Sequence, residues 1–473
     1  MSARTELDTV TGDLAAALDP PQEGANEHRA GLPPGPRLPA VLQTYLWLVH
    51  PFRFMRACAQ RYGDVFTIRL AGWGTHVVVN RPEDVRRVFT APHTVMRAGK
   101  ANDLMRPILG DYSVFVLDGA AHALRRQMMQ PTFHAKLMRR MAGQIAEATD
   151  RTLQAAVEQR RFSVQQLVQE LTLDVVVRTV IGIQNEESLQ LFKRSVRPLL
   201  GRLSAAVAFI KPLQYDGGPL TPGYWFRRKV RQIDAVIHRD IAARRLRPQE
   251  TPDLLQVLID ARDENGQPLT DQEIRDQVMT MVLAAYESTS SSLAWTLHWI
   301  HASDGVRERL LSELDPIDPC ADVEALLRAR YLEAVCEESL RLYPVVDLVT
   351  RSVEQAVQVG GYTLPPGMLV STSVYLTHWR QDLFPEPEKF RPERFLERRY
   401  SVHEFYPFGG GSRSCLGGAM AKLEMKVVLH RMLTRYRLRL LDGPVAKPVR
   451  RNVIISPAGG TRMSIEPRPA ATR

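Results

Sequence analysis

Apolar positions recur along this chain in two rhythms. Pro51–Tyr62 carries them at helical spacing, whereas the runs VFTIRL and THVVV are β-rich. Those runs flank Ala71-Gly72-Trp73-Gly74, a short Gly-containing turn, and so predict a hairpin. From Pro82 to about Arg341 the helical rhythm predominates, broken by loops rich in Gly and Pro. Strand-like runs return at Val357–Leu364, Leu369–Val374 and Asn452–Pro457. No repeat, low-complexity linker or compositional break divides the chain. The pattern predicts a mainly α fold with a minor β part: one domain over 31–473 behind a mobile tail, 1–30.

One predicted helix is unusually long. Thr270 and Glu273 form a capping box, and helical spacing continues to about Ala302. Roughly 33 residues at ~1.5 Å each make a rod of about 50 Å, enough to cross a domain. Its middle reads AAYESTSSS. The consecutive hydroxyl residues Ser288–Ser292 compete for backbone groups, which predicts a local distortion beside Glu287, a natural place for function. The alternative is that each hydroxyl bonds back to a carbonyl one turn earlier.

Charge and cysteine content narrow the setting. The 473 residues carry a net charge of +10. Residues 1–30 hold six acids and two bases, a net −4, so the remainder carries +14. These cations are dispersed and not interleaved with aromatics, which predicts a solvated surface and no nucleic-acid partner. No apolar run approaches the ~20 residues of a membrane span, and no signal peptide is evident, so a cytoplasmic protein without a transmembrane anchor is expected. Cys58, Cys320, Cys336 and Cys415 are too scattered for a disulfide framework or a zinc site.

Cys415 stands apart because of its neighbours. Phe408-Gly-Gly-Gly-Ser-Arg-Ser-Cys415-Leu-Gly417-Gly418 is a glycine-rich loop running into a helix. Glycines let backbone N–H groups turn inward, and a helix N-terminus with Arg413 favours a thiolate. A phosphate-binding loop would need a Lys that is missing, and a phosphatase-type loop an Arg where Ala421 stands. The flanks of a papain-like nucleophile are also absent. A metal ligand remains, and a lone thiolate suits haem iron.

The same loop matches the F-x-x-G-x-R-x-C-x-G signature of cytochrome P-450 enzymes at every fixed position, through Phe408, Gly411, Arg413, Cys415 and Gly417. With three further motifs in the family's order, the chain resembles that family from roughly Leu32 to Pro457. The resemblance implies a long central helix crossing the domain over haem b (iron protoporphyrin IX), with Cys415 as the iron ligand. Glu338-Ser-Leu-Arg341 resembles the family's E-x-x-R, and Arg394 within Pro392-Glu-Arg-Phe395 would complete a buried structural network. Asp118-Gly-Ala-Ala-His122 with Arg126 resembles the helix start that holds the haem propionates; Arg351, and further off His378, would join them. AAYEST resembles the oxygen-activating A-G-x-[DE]-T-[TS], with Glu287 as acid and Ser288 as alcohol ordering waters that carry protons to dioxygen. Ala285 replaces the usual glycine and Ser288 the usual threonine, for which Thr289 could substitute.

The resemblance also implies a hydrophobic small-molecule substrate, of polyketide, terpenoid or fatty-acid type as in secondary metabolism, hydroxylated or epoxidised between Met96–Val114, Leu199–Tyr215, the long helix, Val345–Val349 and Ile454–Ala458. Ala285, Val345 and Val346 would line its pocket, while Tyr286 would project toward the haem or pack away from it. With no flavin domain in the sequence, electrons would come from a separate ferredoxin or flavodoxin with its reductase. Lys422, Lys426, Arg431 and Arg435 would form its docking face on a monomer. The competing readings are a peroxide-using or isomerising haem-thiolate enzyme and a non-catalytic haem sensor.

Overall fold

The computed structural model describes residues 31–468 except 134, 184, 200–206, 208–210, 249–252, 319–321 and 452. The acidic tail 1–30, Cys320, Asn452 and most of the 199–215 pocket segment therefore lie outside the described residues. The fold is 58% helix and 13% strand, which makes it mainly α. The chain opens with α1 (Ala40–Val49) and α2 (Pro51–Tyr62), the latter started by Pro51 and stopped by Gly63 at φ +87°. The predicted hairpin follows as β1 (Val65–Leu70) and β2 (Gly74–Val79), paired antiparallel from Val65↔Val79.

These strands edge a five-stranded sheet in the order β1-β2-β5-β4-β3. Its other members are β3 (Met96–Arg97), β4 (Leu348–Val353) and β5 (Leu369–Ser373). The β2–β5 pair is parallel and the rest antiparallel. The pattern of apolar positions did not predict β4, whose Thr350, Arg351 and Ser352 are all buried. A strand enclosed on both faces and built partly of polar residues shows no alternation. A separate three-stranded sheet of Arg161–Ser163, Tyr436–Leu440 and Arg462–Pro467 also went unpredicted. Val357–Leu364 is two strands, turned at Gly360 and Gly361 with φ of +62° and +87°.

The helices that position the site are α3 (Pro82–Thr90), α4 (Gly119–Met129), α5 (Val164–Val175), α6 (Asp271–Ala302), α7 (Arg330–Leu342) and α8 (Gly418–Arg435). Two short strands near the C-terminus, β6 (Pro448–Arg451) and β7 (Ile454–Pro457), form a hairpin. The central rod is α6, 32 residues and so ~48 Å long. Both halves of its capping box form: the Glu273 N–H donates to Thr270 Oγ1 (3.2 Å) and the Thr270 N–H to Glu273 Oε2 (2.9 Å). It packs on α5, α7, α8 and β7.

The distortion expected at Ser288–Ser292 is absent, and α6 runs unbroken. Ser288, Ser290 and Ser292 each donate to a carbonyl four residues back, at 2.6, 2.9 and 2.9 Å. From α5, Gln165 Nε2 donates to Ser290 and Ser291 Oγ. The hydroxyls of Ser288, Ser290, Ser291 and Ser292 are thus engaged without opening the helix. No helix among the described residues is long and apolar enough to cross a membrane.

Candidate active site

The cysteine loop is closed by its own backbone, the Cys415 N–H donating to Phe408 O at 2.8 Å. Its glycines serve packing. Gly411 has φ +66°, and a Cβ there would lie 2.2 Å from Phe89 O at the end of α3. A Cβ on Gly410 would lie 2.2 Å from the Phe89 ring. At Gly417 a Cβ would meet nothing within 4 Å. The loop can thus sit on α3 only without side chains, leaving open space beside Cys415.

Cys415 is accessible, whereas Cys58 and Cys336 are buried. Desolvation nevertheless pushes its thiol up, opposed by the Gly417 N–H and Arg126. Such a thiol ionises when a metal cation supplies the missing compensation. Among the described residues no group of three His, Cys, Asp or Glu side chains could hold a metal ion. A metal on Cys415 must therefore bring its other ligands with it.

Beside the thiol lies a cluster of cations. Arg413 donates to Asp118 Oδ1 (2.6 Å) and to Leu117 O. The remaining capacity of Asp118 is taken by the backbone N–H groups of Gly99 and Lys100. Arg126 donates to Ser414 O (2.7 Å) and Oγ (3.1 Å), tying α4 to the loop. Arg351, from β4, is buried, donates to Thr350 O (3.0 Å) and reaches no carboxylate within ion-pair distance among the described residues. Desolvation, then the neighbouring Arg413, push it down to about 10. His122 is held at about 4 by desolvation, then by Arg413 and Arg126, with Arg351 adding a smaller push. One carboxylate, already saturated, faces four basic side chains. The cluster suits a ligand that brings two carboxylates, and with Cys415 it fits an iron macrocycle bearing propionates.

Behind the loop, Glu338, Arg341 and Arg394 meet with no exposure above 2%. Arg341 grips Glu338 through Nε (2.7 Å) and Nη2 (2.9 Å), and Arg394 Nε reaches Glu338 Oε1 at 3.0 Å. His378 belongs to this side. Its carbonyl accepts from Arg341 and its Nε2 from the Tyr406 N–H (3.0 Å), so it is fully buried and cannot serve as a propionate partner.

On α6, Ala284 is exposed, and Ala285 and Ser288 are partly so. Ala284 and Ser288 share a face one turn apart. Glu287 and Thr289 are buried. Tyr286, about 200° around from Ala284, is buried in the apolar core and feels Arg197 and Glu170. It packs away from the open face and is removed from the pocket. Val345 accepts from the Ile455 N–H (2.8 Å) and clusters with Leu340 and Ile454, against which Phe408 of the cysteine loop packs; Val346 beside it is 37% exposed.

The cytochrome P450 family model matches residues 33–463. The chain belongs to the cytochrome P-450 family. It is 36% identical to cytochrome P-450 135B1 of Mycobacterium bovis over 444 residues, 92% of this chain and 91% of that one. To cytochrome P-450 135A1 of Mycobacterium tuberculosis it is 31% identical, covering 93% and 96%. A solved structure of retinoic-acid-bound cyanobacterial CYP120A1 superposes with a TM-score of 0.81 at 27% identity, covering 93% of this chain and all of that one. As a cytochrome P-450, this protein is a haem-thiolate monooxygenase using haem b.

One expectation about this cytochrome P-450 fails. Lys422, Lys426, Arg431 and Arg435 do not form a free basic face. Lys422 pairs with Glu333 and Glu337, each at 2.9 Å. Lys426, 3% exposed, pairs with Glu333, and the largely buried Arg431 pairs with Asp150. Arg435 is half-exposed but also reaches Asp150 (3.1 Å). Because α8 is packed in the core, its cations are neutralised within the fold. The same helix holds an acid that sequence reasoning missed: Glu424 is buried and accepts from Thr172 Oγ1 (2.8 Å). Desolvation pushes it up to about 7. Its signal was a lone Glu in an otherwise apolar register of α8.

Proposed function

We propose that this cytochrome P-450 hydroxylates or epoxidises a hydrophobic small molecule, with dioxygen and electrons from a separate ferredoxin or flavodoxin, within one catalytic unit over 31–473. The observation that carries the reading is the open face of α6, where small apolar side chains adjoin a single hydroxyl, Ser288. Apolar Ala284, Ala285 and Val346 offer a substrate desolvation more than polar contacts. The retinoic acid in the CYP120A1 structure is in keeping with an apolar ligand.

Haem b, when bound, supplies the iron at which dioxygen is activated, and thiolate ligation favours O–O cleavage. The chain does the rest. The Gly417 N–H and Arg126 favour the thiolate form of Cys415. Arg126, Arg351 and His122 hold the cofactor's carboxylates, and the close fit of Gly410 and Gly411 against Phe89 fixes the loop. Ser288 Oγ spends its proton on Ala284 O and keeps lone pairs to accept from water. Glu287, one residue away, passes protons to that water.

Product formation is measured with reductase, ferredoxin and dioxygen, and separately with peroxide alone, on compounds that shift the haem spin state. Turnover should require the reductase and dioxygen. Ser288→Ala should lower product per electron by roughly tenfold or more, and Thr289→Ala should leave it near wild type. Equal turnover with peroxide alone would favour a peroxide-using enzyme. Unchanged coupling in Ser288→Ala would remove the relay.

A further inference from the structure

Helix α1 is built inside out. Its Gln43 is fully buried, with Nε2 donating to Pro36 O (3.1 Å) and Leu38 O (2.7 Å) and Oε1 accepting the Arg69 N–H (2.8 Å). Thr44 Oγ1 donates to Ala40 O and accepts the Ala71 N–H, both at 2.7 Å. Trp47 is buried beneath the Arg450 guanidinium, 3.7 Å from the ring centroid. The polar groups of Gln43 and Thr44 are thus consumed inside the fold. Outside stand Val41 (73% exposed), Leu42 (41%), Tyr45 (57%), Leu48 (44%) and Val49 (42%). At ~100° per residue these five fall within an arc of about 120°. No charged residue interrupts the helix. A contiguous apolar face of this kind marks an interaction site.

The surrounding charge says which. Residues 31–63 contain four arginines (Arg37, Arg53, Arg56, Arg61) and no Asp or Glu. Strand β6 packs on α1. It comes from residues 443–463, which hold Lys447, Arg450, Arg451 and Arg462 and again no acid. Arg462 is paired with Asp442 (2.8 Å) and Arg450 lies over Trp47, yet the segments beside this apolar strip carry a surplus of cations, complementary to anionic headgroups over acyl chains. A second protein copy fits less well. One helix face of ~15 Å by ~10 Å falls well short of the ~800 Å² that a specific protein interface takes from each partner. We infer that α1 lies in the surface of an anionic phospholipid bilayer, its five apolar side chains among the acyl chains and the neighbouring cations at the headgroups. This rests on no assumption about the substrate.

The test floats haem-loaded, full-length protein with vesicles of phosphatidylcholine alone or mixed equally with phosphatidylglycerol. Wild type should float with the anionic vesicles and less so as salt rises. The double variant Tyr45→Glu/Leu48→Glu should float at least about tenfold less, with its carbon-monoxide spectrum unchanged. Should that variant fail to fold, the milder Val41→Ser/Leu48→Ser should still lower flotation about threefold. Absence of wild-type flotation, or equal flotation of wild type and a folded variant, overturns the inference. So does a wild-type dimer in light scattering that Tyr45→Glu/Leu48→Glu dissociates, which would give the face to a second copy.

Discussion

Two charge clusters, one buried and one partly buried, sit near the cysteine loop, and they differ in how complete they are. Around Glu338 the polar groups find partners within the chain. Arg341 also donates to the carbonyls of His378 and Pro387, Arg394 to that of Pro385, and the Arg391 N–H fills Glu338 Oε1. Around Asp118 the acid accepts three hydrogen bonds, yet among the described residues Arg351 has the neighbouring Thr350 carbonyl and the Phe89 ring but no carboxylate, and His122 is driven neutral by burial and then by the surrounding cations. A closed network holds architecture together. A surplus of buried positive charge is one that a ligand must complete, and the contrast separates scaffold from site without reference to conserved positions.

The largest effect should come from opening the closed cluster. Glu338→Ala strands two buried guanidinium groups and should cost about 3–5 kcal/mol, read as loss of folded protein in thermal unfolding with or without haem. Opening the incomplete cluster should act differently. Arg351→Ala or Arg126→Ala should weaken haem retention by about 1.5–3 kcal/mol, tenfold or more, seen in haem transfer to an acceptor protein. The apoprotein's melting temperature should hold or rise for Arg351→Ala, since a desolvated cation is removed. If Arg351→Ala destabilises the apoprotein as Glu338→Ala does, the two clusters are alike and the contrast fails.

Glu424 tests a lone buried charge. Its carboxyl is raised from 4.5 to about 7, so its protonated form is favoured in the fold. The stability it contributes is present below about pH 4.5, is lost as pH rises through about 7, and stays lost above. Glu424→Gln should therefore match wild type in acid and exceed it by about 3 kcal/mol above pH 7, in denaturant unfolding across that range. The smallest effect belongs to a paired charge nearer solvent. Lys422→Met should change stability by under about 1 kcal/mol, and because Lys422 is already neutralised it should leave the rate of haem reduction unaltered.

These clusters also show what could be read from the sequence. The cysteine loop was legible because it needs particular residues at fixed spacing: glycines where Phe89 crowds the backbone, and a cysteine at a helix start. The capping box at Thr270 and Glu273 was legible for the same local reason. What could not be read were relations between distant segments. Nothing local says that Lys426 is 3% exposed, that His378 faces Tyr406 and not the cations, or that β4 lies inside a sheet. Burial of a charged residue depends on what packs over it, and the helical rhythm of α8 is the same whether its cations meet solvent or Glu333 and Asp150.

The most direct test of the account is the absorption spectrum of the reduced, carbon-monoxide-bound protein, wild type beside Cys415→Ser. Wild type should show a strongly red-shifted Soret band that is lost in Cys415→Ser while haem remains bound. A haem-loaded wild type without that band, or a Cys415→Ser protein that keeps it, would contradict the assignment of Cys415 as the iron ligand.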